Sequence, residues 1–136
     1  MGYTYSGHAV ACAAALKNIE IMAREGLCAH VQQVGPYLQD RVRSELADLP
    51  CVGDVRGSHL MLGVELVADQ RSKQGFSASV GAANRVFHHA REAGVIVRPI
   101  GNILVVSPPL VVTTDDCDTI VAALKHGITE FAREMV

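Results

Sequence analysis

The chain has 136 residues, of which 49% are hydrophobic, and its 12 Lys+Arg against 14 Asp+Glu give a formal net charge of −2. This length and apolar content favour one globular domain over a disordered linker. Without basic runs, the chain is a poor match for nucleic acids or anionic membranes, and no apolar run reaches the roughly 18 residues that a transmembrane helix needs. We therefore expect a cytoplasmic protein.

The cysteines and histidines do not follow the spacing of a metal site. No CxxC or CxxH pattern occurs, so we expect buried free thiols in a reducing compartment rather than a disulfide or zinc framework. The cysteines are Cys12, Cys28, Cys51 and Cys117. His88 and His89 are adjacent in a predicted helix and point about 100° apart, so they cannot share an ion. The sequence predicts no metal site.

Hydrophobic periodicity predicts two helices before any strand. Ser6 is a favourable N-cap for a helix that ends at Gly26. The segment AVACAAAL within it is apolar around most of the circumference, which predicts burial on more than one side. The second helix has apolar residues at three- and four-residue steps, and Gly35-Pro36 should kink it or reset its start.

Two hairpins and two more helices are expected after that. Residues 51–56 and 60–67 read as strands joined at Gly57-Ser58-His59, and residues 68–76 as a mobile surface loop. A helix follows from about residue 77 to 92, and Thr113 or Thr114 caps the last helix. The order predicts an α+β fold with an antiparallel sheet of about four strands, helices mainly on one face and a long helix in front.

The second hairpin carries the first candidate site residue. Residues 95–97 and 103–106 are apolar and flank RPIGN, in which Gly101 and Asn102 tolerate positive φ. We expect Arg98 at the lip of the sheet, just before the turn. A guanidinium there can bind a carboxylate through two parallel hydrogen bonds. The alternative is a surface arginine that pairs with a neighbouring acid.

The opening motif GYTYSGH, at residues 2–8, carries the second candidate. Free N–H groups at a helix start, with the Thr4 hydroxyl and Gly7 beside them, form the kind of site that holds phosphate. The alternative is a plain helix cap. Lys17 and Lys125 fall on helices and Lys73 in a polar loop, so all three are expected to be solvated rather than poised for a Schiff base.

Three segments, in this order, resemble class-III aminotransferases, which are pyridoxal-phosphate enzymes of fold type I. They read GYTYSGHAVACAAAL, VGDVRGSHLMLGVELV and GVIVRPIGNILVVSPPLVVT. The resemblance covers essentially the whole chain and corresponds to the C-terminal third of the family. It implies a cofactor-phosphate loop and linking helix at residues 1–26, followed by a small C-terminal domain at residues 27–136.

The resemblance also implies roles for both candidates. In the family, the threonine of the loop reaches across a dimer interface to the phosphate of pyridoxal 5'-phosphate, and the arginine of VRP binds a substrate carboxylate. Thr4 and Arg98 occupy these positions. The expected substrates are an amine or amino acid and a keto acid, and the expected assembly is a homodimer.

The family's large domain, with its Schiff-base lysine, has no counterpart in this sequence, and Ala9 replaces the usual proline after the loop histidine. We therefore expect a fragment that is inactive alone and contains no catalytic residue. The alternative is a stand-alone, non-catalytic module for dimerisation or small-ligand binding. An independent enzyme using Lys17 or Lys73 would need a pocket-forming segment that the sequence does not provide.

Overall fold

A computed structural model describes residues 2–4 and 6–135, and the fold is α+β, as predicted. Met1, Tyr5 and Val136 lie outside the described residues. The described elements are α1 (Ala9–Arg24), α2 (Leu27–Leu46), β1 (Val52–Ser58), β2 (Met61–Asp69), β3 (Gln74–Gly75), a short 3₁₀ helix (Ala78–Val80), α3 (Ala82–Glu92), β4 (Arg98–Ile100), β5 (Ile103–Val106) and α4 (Thr114–Glu134).

The main sheet is antiparallel and has the order β1-β2-β5-β4, which matches the prediction of about four strands. Val64 of β2 lies opposite Val55 on one side and Leu104 on the other. A fifth, two-residue strand, β3, pairs with β2 in the segment expected to be a loop. The Asp69 carboxylate accepts hydrogen bonds from the backbone N–H groups of Arg71 and Ser72, which turns the chain back onto β2.

One face of this sheet packs against α2, α3 and α4, and this contact forms the core. Alternate residues of the strands point to that face, and the apolar stripes of the three helices meet them. The largest fully buried side chains are Phe131, Leu38, Leu46, Leu62, Leu66, Leu104, Leu124 and Ile128. The helices therefore lie on one face, as expected, and the opposite face of the sheet is open.

The predicted start of α3 is wrong, and Gly35-Pro36 does not reset the start of α2. Helix α2 runs without a break through Pro36, since Val34 before it and Leu38 after it are both buried in the same core. A Cβ on Gly35 would lie 2.7 Å from the Cα of His59, so this glycine permits close contact with the β1–β2 turn. Helix α3 starts at Ala82 rather than near residue 77, because Gly81 has a φ of 62° and separates it from the 3₁₀ helix.

The cap of α4 is confirmed and that of α1 is not. The Thr113 side chain accepts from the N–H of Asp116, whose carboxylate accepts from Thr113 in return. At α1 the N-cap is His8 rather than Ser6: the N–H of Ala11 donates to His8 Nδ1 at 3.3 Å. The Ser6 hydroxyl accepts from the N–H of Tyr3 instead.

Helix α1 differs from its expected environment, since it has no buried residue among those described. The expectation of four buried thiols is also wrong, because Cys12 and Cys28 are exposed and Cys51 is half-buried, leaving Cys117 as the buried one of the four. Within the described ranges, no helix has the length and apolar content needed to cross a membrane.

Candidate functional site

The open face of the sheet carries one of the two candidate residues. Side chains alternate between the faces of a strand, so the residues on this face follow from the registers. We define the open sheet face as Asp54, Arg56, Gly63, Glu65, Arg98, Ile100, Ile103 and Val105. Its β5 residues, Ile103 and Val105, are apolar and half-buried, whereas its charges lie on β1, β2 and the edge strand β4.

Arg98 is the first residue of the edge strand β4, with its Cα opposite that of Val105. Two residues, Pro99 and Ile100, separate it from the Gly101-Asn102 turn, because all three residues from Arg98 to Ile100 belong to the strand. The side chain is exposed, and it makes no hydrogen bond or ion pair with any described residue. The pairing with a neighbouring acid, which the sequence left open, is therefore not found within residues 2–4 and 6–135.

Two isoleucines share the exposed side of this edge with Arg98. Ile96 is 80% exposed and Ile100 is 50% exposed. Val97 and Pro99, which alternate with them, are buried and half-buried. Arg98 therefore has an exposed isoleucine two residues to either side along the chain, and a carboxylate that bound its guanidinium would have no described acid competing for the same donors.

Arg56 lies at the other end of the same row of the sheet. The registers align Arg56 with Gly63, Gly63 with Val105 and Val105 with Arg98, so the two arginines are three strand spacings, or roughly 14 Å, apart. Arg56 donates to Glu65 and, at 3.0 Å, to Asp54. These hydrogen bonds, that to Glu65 first, raise the pKa of Arg56 above its ordinary value. One arginine of the row is thus neutralised, and the other has no described counter-ion.

The sequence analysis did not predict the cluster of charges that Asp54, Arg56 and Glu65 form on the open sheet face. Asp54 and Arg56 are two residues apart on β1, and Glu65 is opposite Asp54. The sequence did carry a signal for this cluster. Charged residues at alternate positions of β1, Asp54 and Arg56, share one face of the strand and can meet a charged residue of the neighbouring strand.

The turn between β4 and β5, which follows the strand that carries Arg98, is held from two sides. Gly101 has a φ of 59°, which suits a two-residue hairpin turn. The Asn102 side-chain amide donates to the carbonyl oxygen of Phe76 at 2.8 Å, and the Asn102 carbonyl accepts from the N–H of Leu66 at the same distance. Asn102 therefore ties β4 and β5 to β2 and to the segment before α3. The sequence identified Asn102 only as a turn residue.

Thr4, the second candidate, lies in a tight turn before α1. The N–H of Ser6 donates to the carbonyl oxygen of Tyr3, and the N–H of Tyr3 donates to the Ser6 hydroxyl, both at 2.9 Å. Thr4 is exposed within this turn. Gly7, with a φ of 76°, then redirects the chain into the helix. Tyr5, the remaining member of the motif, lies outside the described residues.

The three lysines are at the surface, as expected. Lys17 pairs with Glu20 at 2.9 Å and Lys125 with Glu45 at 2.8 Å. Lys73 donates to the carbonyl oxygen of Gly53 at 2.6 Å. A Schiff-base lysine is neutral and desolvated, and these side chains are exposed and charge-paired or hydrogen-bonded. In the described part of the chain, no cluster of three or more His, Cys, Asp or Glu residues has the geometry to hold a metal ion.

The architecture is that of an α+β domain with helices on one face of an antiparallel sheet and, on the other, an arginine that has no partner among the described residues. The family model "Aminotransferase class-III" matches residues 1–128, and the chain belongs to this family. The relation covers nearly the whole chain.

A relative and two solved structures illustrate the similarity. The diaminobutyrate–2-oxoglutarate transaminase of Halomonas elongata is 40% identical over 131 residues, which cover 95% of this chain and 28% of that protein. A PLP-bound amine transaminase from an uncultivated Pseudomonas species is 41% identical, with a TM-score of 0.89. The match covers 96% of this chain and 29% of the transaminase chain. The adenosylmethionine-8-amino-7-oxononanoate aminotransferase of Methanocaldococcus jannaschii has the same TM-score and is 35% identical. The match covers 96% of this chain and 30% of that chain. The chain thus spans less than a third of the length of these proteins.

Proposed function

We propose that this chain is the C-terminal part of a pyridoxal-phosphate-dependent aminotransferase, which moves an amino group from an amine or amino acid to a keto acid. Its membership of the class-III family supports the type of reaction, and the PLP-bound neighbour supports the cofactor. The remaining part of such an enzyme would be more than twice as long as this chain, since the matched region is 28% to 30% of the relatives.

The proposed division of the chain falls at Gly26. Residues 1–26 form the cofactor-phosphate loop and linking helix, and residues 27–136 form the small C-terminal domain. The burial of the described residues supports this boundary, because every residue of the core cluster lies at Val34 or beyond and α1 contributes none. Gly26 itself has a φ of 63° and separates α1 from α2.

Arg98 is the proposed ligand of the substrate carboxylate, and its free guanidinium is the observation that carries this role. Arg56, in the same row, has two acids as partners, whereas Arg98 has none among the described residues. Pro99 and the Gly101 turn fix the backbone that carries Arg98, and the planar guanidinium has paired donors that suit bidentate binding of a carboxylate. Both the amino-acid and the keto-acid substrates carry such a group.

Thr4 is the proposed ligand of the cofactor phosphate in a neighbouring subunit of a homodimer. Its hydroxyl is exposed in the turn before α1 and can donate to a phosphate oxygen. When bound, the cofactor supplies the electron sink for the reaction. The lysines of this chain do not fit the Schiff-base role, because each is exposed and already partnered. No catalytic residue is therefore assigned here, and the chain alone is expected to be inactive.

The first experiment asks whether the chain holds the cofactor by itself. The purified chain is incubated with pyridoxal phosphate and reduced with borohydride, and the adducts are mapped by mass spectrometry. Trace labelling spread over Lys17, Lys73 and Lys125 is expected. Stoichiometric labelling of one lysine would mean a complete cofactor site within this chain and would overturn the proposal of an inactive fragment.

The second experiment tests Arg98 in a full-length enzyme that carries this sequence. Arg98→Ala should raise KM for α-carboxylate substrates by tenfold or more, since a charge-assisted bidentate contact is lost, and should leave simple amines unchanged. Arg91→Ala, at an exposed arginine on α3, is the matched control. Equal kinetics of Arg98→Ala and the parent for both substrate types would contradict the role.

The similar proteins do not support the alternative of a stand-alone module for dimerisation or small-ligand binding. The relatives are transaminases and align along nearly the whole chain. The diaminobutyrate and 2-oxoglutarate in the name of the Halomonas protein are its own substrates, so the donor and acceptor of the present enzyme are left at the level of amine or amino acid and keto acid.

A further inference from the structure

Strand β5 does not specify its own register against β2. Its four residues, Ile103–Val106, are all apolar, so its two faces are alike in sequence, although Leu104 and Val106 alone are buried. The register of a strand is set by its hydrophobic pattern and its turn, and a shift by one residue turns every side chain to the other face. Such a shift of the β4–β5 hairpin would move Arg98 from the open sheet face to the face that the helices cover. Another contact must therefore fix the register.

Strand β4 adds little to this specification. It has three residues, Arg98–Ile100, and among the described strands it pairs with β5 alone. Its middle residue, Pro99, has no N–H to donate to a ladder. The turn at Gly101 fixes how β4 aligns with β5, but it does not fix how the hairpin aligns with β2.

Asn102 lies where two neighbours of β2 meet, since the first part of β2 pairs with β5 and its last part with β3. Between these two parts, the N–H of Leu66 donates to the Asn102 carbonyl oxygen at 2.8 Å, which continues the β2–β5 register by one pair. The Asn102 side-chain amide donates to the carbonyl oxygen of Phe76, the residue after β3, also at 2.8 Å. One residue therefore joins the hairpin to β2 and to the end of β3.

Gly75 makes room for this contact. A Cβ on Gly75 would lie 2.9 Å from Asn102 Nδ2, so the end of β3 can approach the amide because this residue has no side chain. Phe76 is itself anchored in the core, because its ring meets the ring of the buried Phe131 edge-on at 5.2 Å. All of these contacts join residues of the same domain, so they do not depend on the rest of a larger enzyme.

We propose that Asn102 is a positioning residue for the substrate carboxylate: it fixes the register of the β4–β5 hairpin on β2 and thereby presents Arg98 on the open sheet face. In this role it acts through the strand pairs Ile100–Ile103 and Arg98–Val105, which carry the register from the turn to the arginine. The inference rests on the proposed function, in which Arg98 binds the carboxylate. The register itself can be tested without substrate or cofactor.

The first test measures the register in the purified chain by NMR. Nuclear Overhauser contacts between Gly63 and Val105 report the β2–β5 register, and hydrogen exchange of the Leu66 amide reports its bond to Asn102. Because the hairpin loses its side-chain anchor, Asn102→Ala should weaken these contacts and lower the protection of Leu66 about fivefold, the usual worth of one hydrogen bond. Asn84→Ala, the same substitution at an exposed asparagine of α3, is the control and should match the wild type.

Gly75→Ala tests the same contact without changing Asn102, since the added methyl group would displace the amide. It should cause the same local loss, while the amides of α2 and α4 keep their protection in both variants. Unchanged contacts between Gly63 and Val105 in either variant would overturn the proposal. A loss of protection spread evenly over the chain would also overturn it, because that result marks a merely structural residue.

The second test links the register to the substrate in a full-length enzyme that carries this sequence. Asn102→Ala should raise the ratio of KM for α-carboxylate substrates to KM for simple amines about fivefold. Adding Asn102→Ala to Arg98→Ala should raise this ratio no further, because a residue that acts through the guanidinium has no effect once the guanidinium is gone. Additive effects would overturn the positioning role. If Arg98→Ala itself leaves the ratio unchanged, the proposed function fails, whereas the NMR experiment still decides whether Asn102 fixes the register.

Discussion

Helix α1 and helix α2 adjoin in the chain and are stabilised in opposite ways. Helix α2 is the less apolar of the two, yet it buries Val34, Leu38, Val42 and Leu46 because these residues recur on one side of the helix. Helix α1 is richer in apolar residues and buries none of them. The comparison teaches that periodicity, rather than apolar content, fixes which helix joins the core of this domain.

The exposed apolar residues of α1 also lie on different sides of it. Val10 and Ile19 are 72% and 62% exposed. At 100° per residue they are about 180° apart around the helix axis. A single neighbouring surface cannot cover both, so covering them would take contacts on more than one side, as the apolar circumference of this helix predicts.

The sharpest test of the contrast compares Phe131→Ala in α4 with Ile19→Ala in α1. Phe131 is fully buried, its ring meets that of Phe76 edge-on at 5.2 Å, and the Arg85 guanidinium lies 5.3 Å from its centroid. Its removal should lower the free energy of unfolding by about 3–5 kcal/mol, measured by urea denaturation. Ile19→Ala should change it by less than about 0.5 kcal/mol. Equal losses would mean that α1 is part of the cooperative core.

The next largest effect is expected where α3 and α4 approach most closely. A Cβ on Gly127 would lie 2.8 Å from the backbone carbonyl oxygen of Val86, which cannot move aside without shifting α3. Gly127→Ala should therefore destabilise the chain by about 1–3 kcal/mol despite the better helix propensity of alanine. Gly2→Ala is the control, because nothing lies within 4 Å of its Cβ position. Stabilisation by Gly127→Ala would show that the two helices can separate at no cost.

The sequence predicted the fold class, the order of the main elements and the cap of α4, since these depend on periodicity and local turn chemistry. It did not predict β3 or the exact start of α3, which depend on the Asp69 turn and on the φ of Gly81. It also placed Arg98 directly before the turn, because the strand register was unknown. The sequence also did not predict that Arg56 has two acids as partners whereas Arg98 has none among the described residues, because this depends on which strands are neighbours and on where the side chains meet.

Acid should weaken the contact between α2 and α4 through Asp118. Its carboxylate accepts from the Arg41 guanidinium at 2.8 Å and from the Tyr37 hydroxyl, and these bonds hold the pKa of Asp118 below its ordinary value. A carboxyl group with a lowered pKa stabilises the fold above its unfolded-state pKa, about 4, and loses this contribution as the pH falls through the lower, folded-state value.

Asp118→Asn should therefore lower the urea midpoint at pH 7 and lower it less at pH 3, an effect smaller than that of Phe131→Ala because the pair is half-exposed. Asp40→Asn, on the exposed side of α2, is the control. A loss at pH 3 equal to that at pH 7 would exclude Asp118 as a source of the acid sensitivity.

The smallest effect on stability is expected for Leu16→Gln, which replaces one good helix former with another on a side chain that is 70% exposed. Its free energy of unfolding should match the parent within about 0.5 kcal/mol. Apolar patches of this kind mark contact surfaces, so the substitution should instead reduce self-association, measured by sedimentation, or the binding of a hydrophobic dye. Ala13→Gln, which adds the same amide without removing a large apolar group, is the control. If Leu16→Gln alters neither property, the apolar surface of α1 is not a contact surface of this chain, which would contradict the predicted burial of this helix.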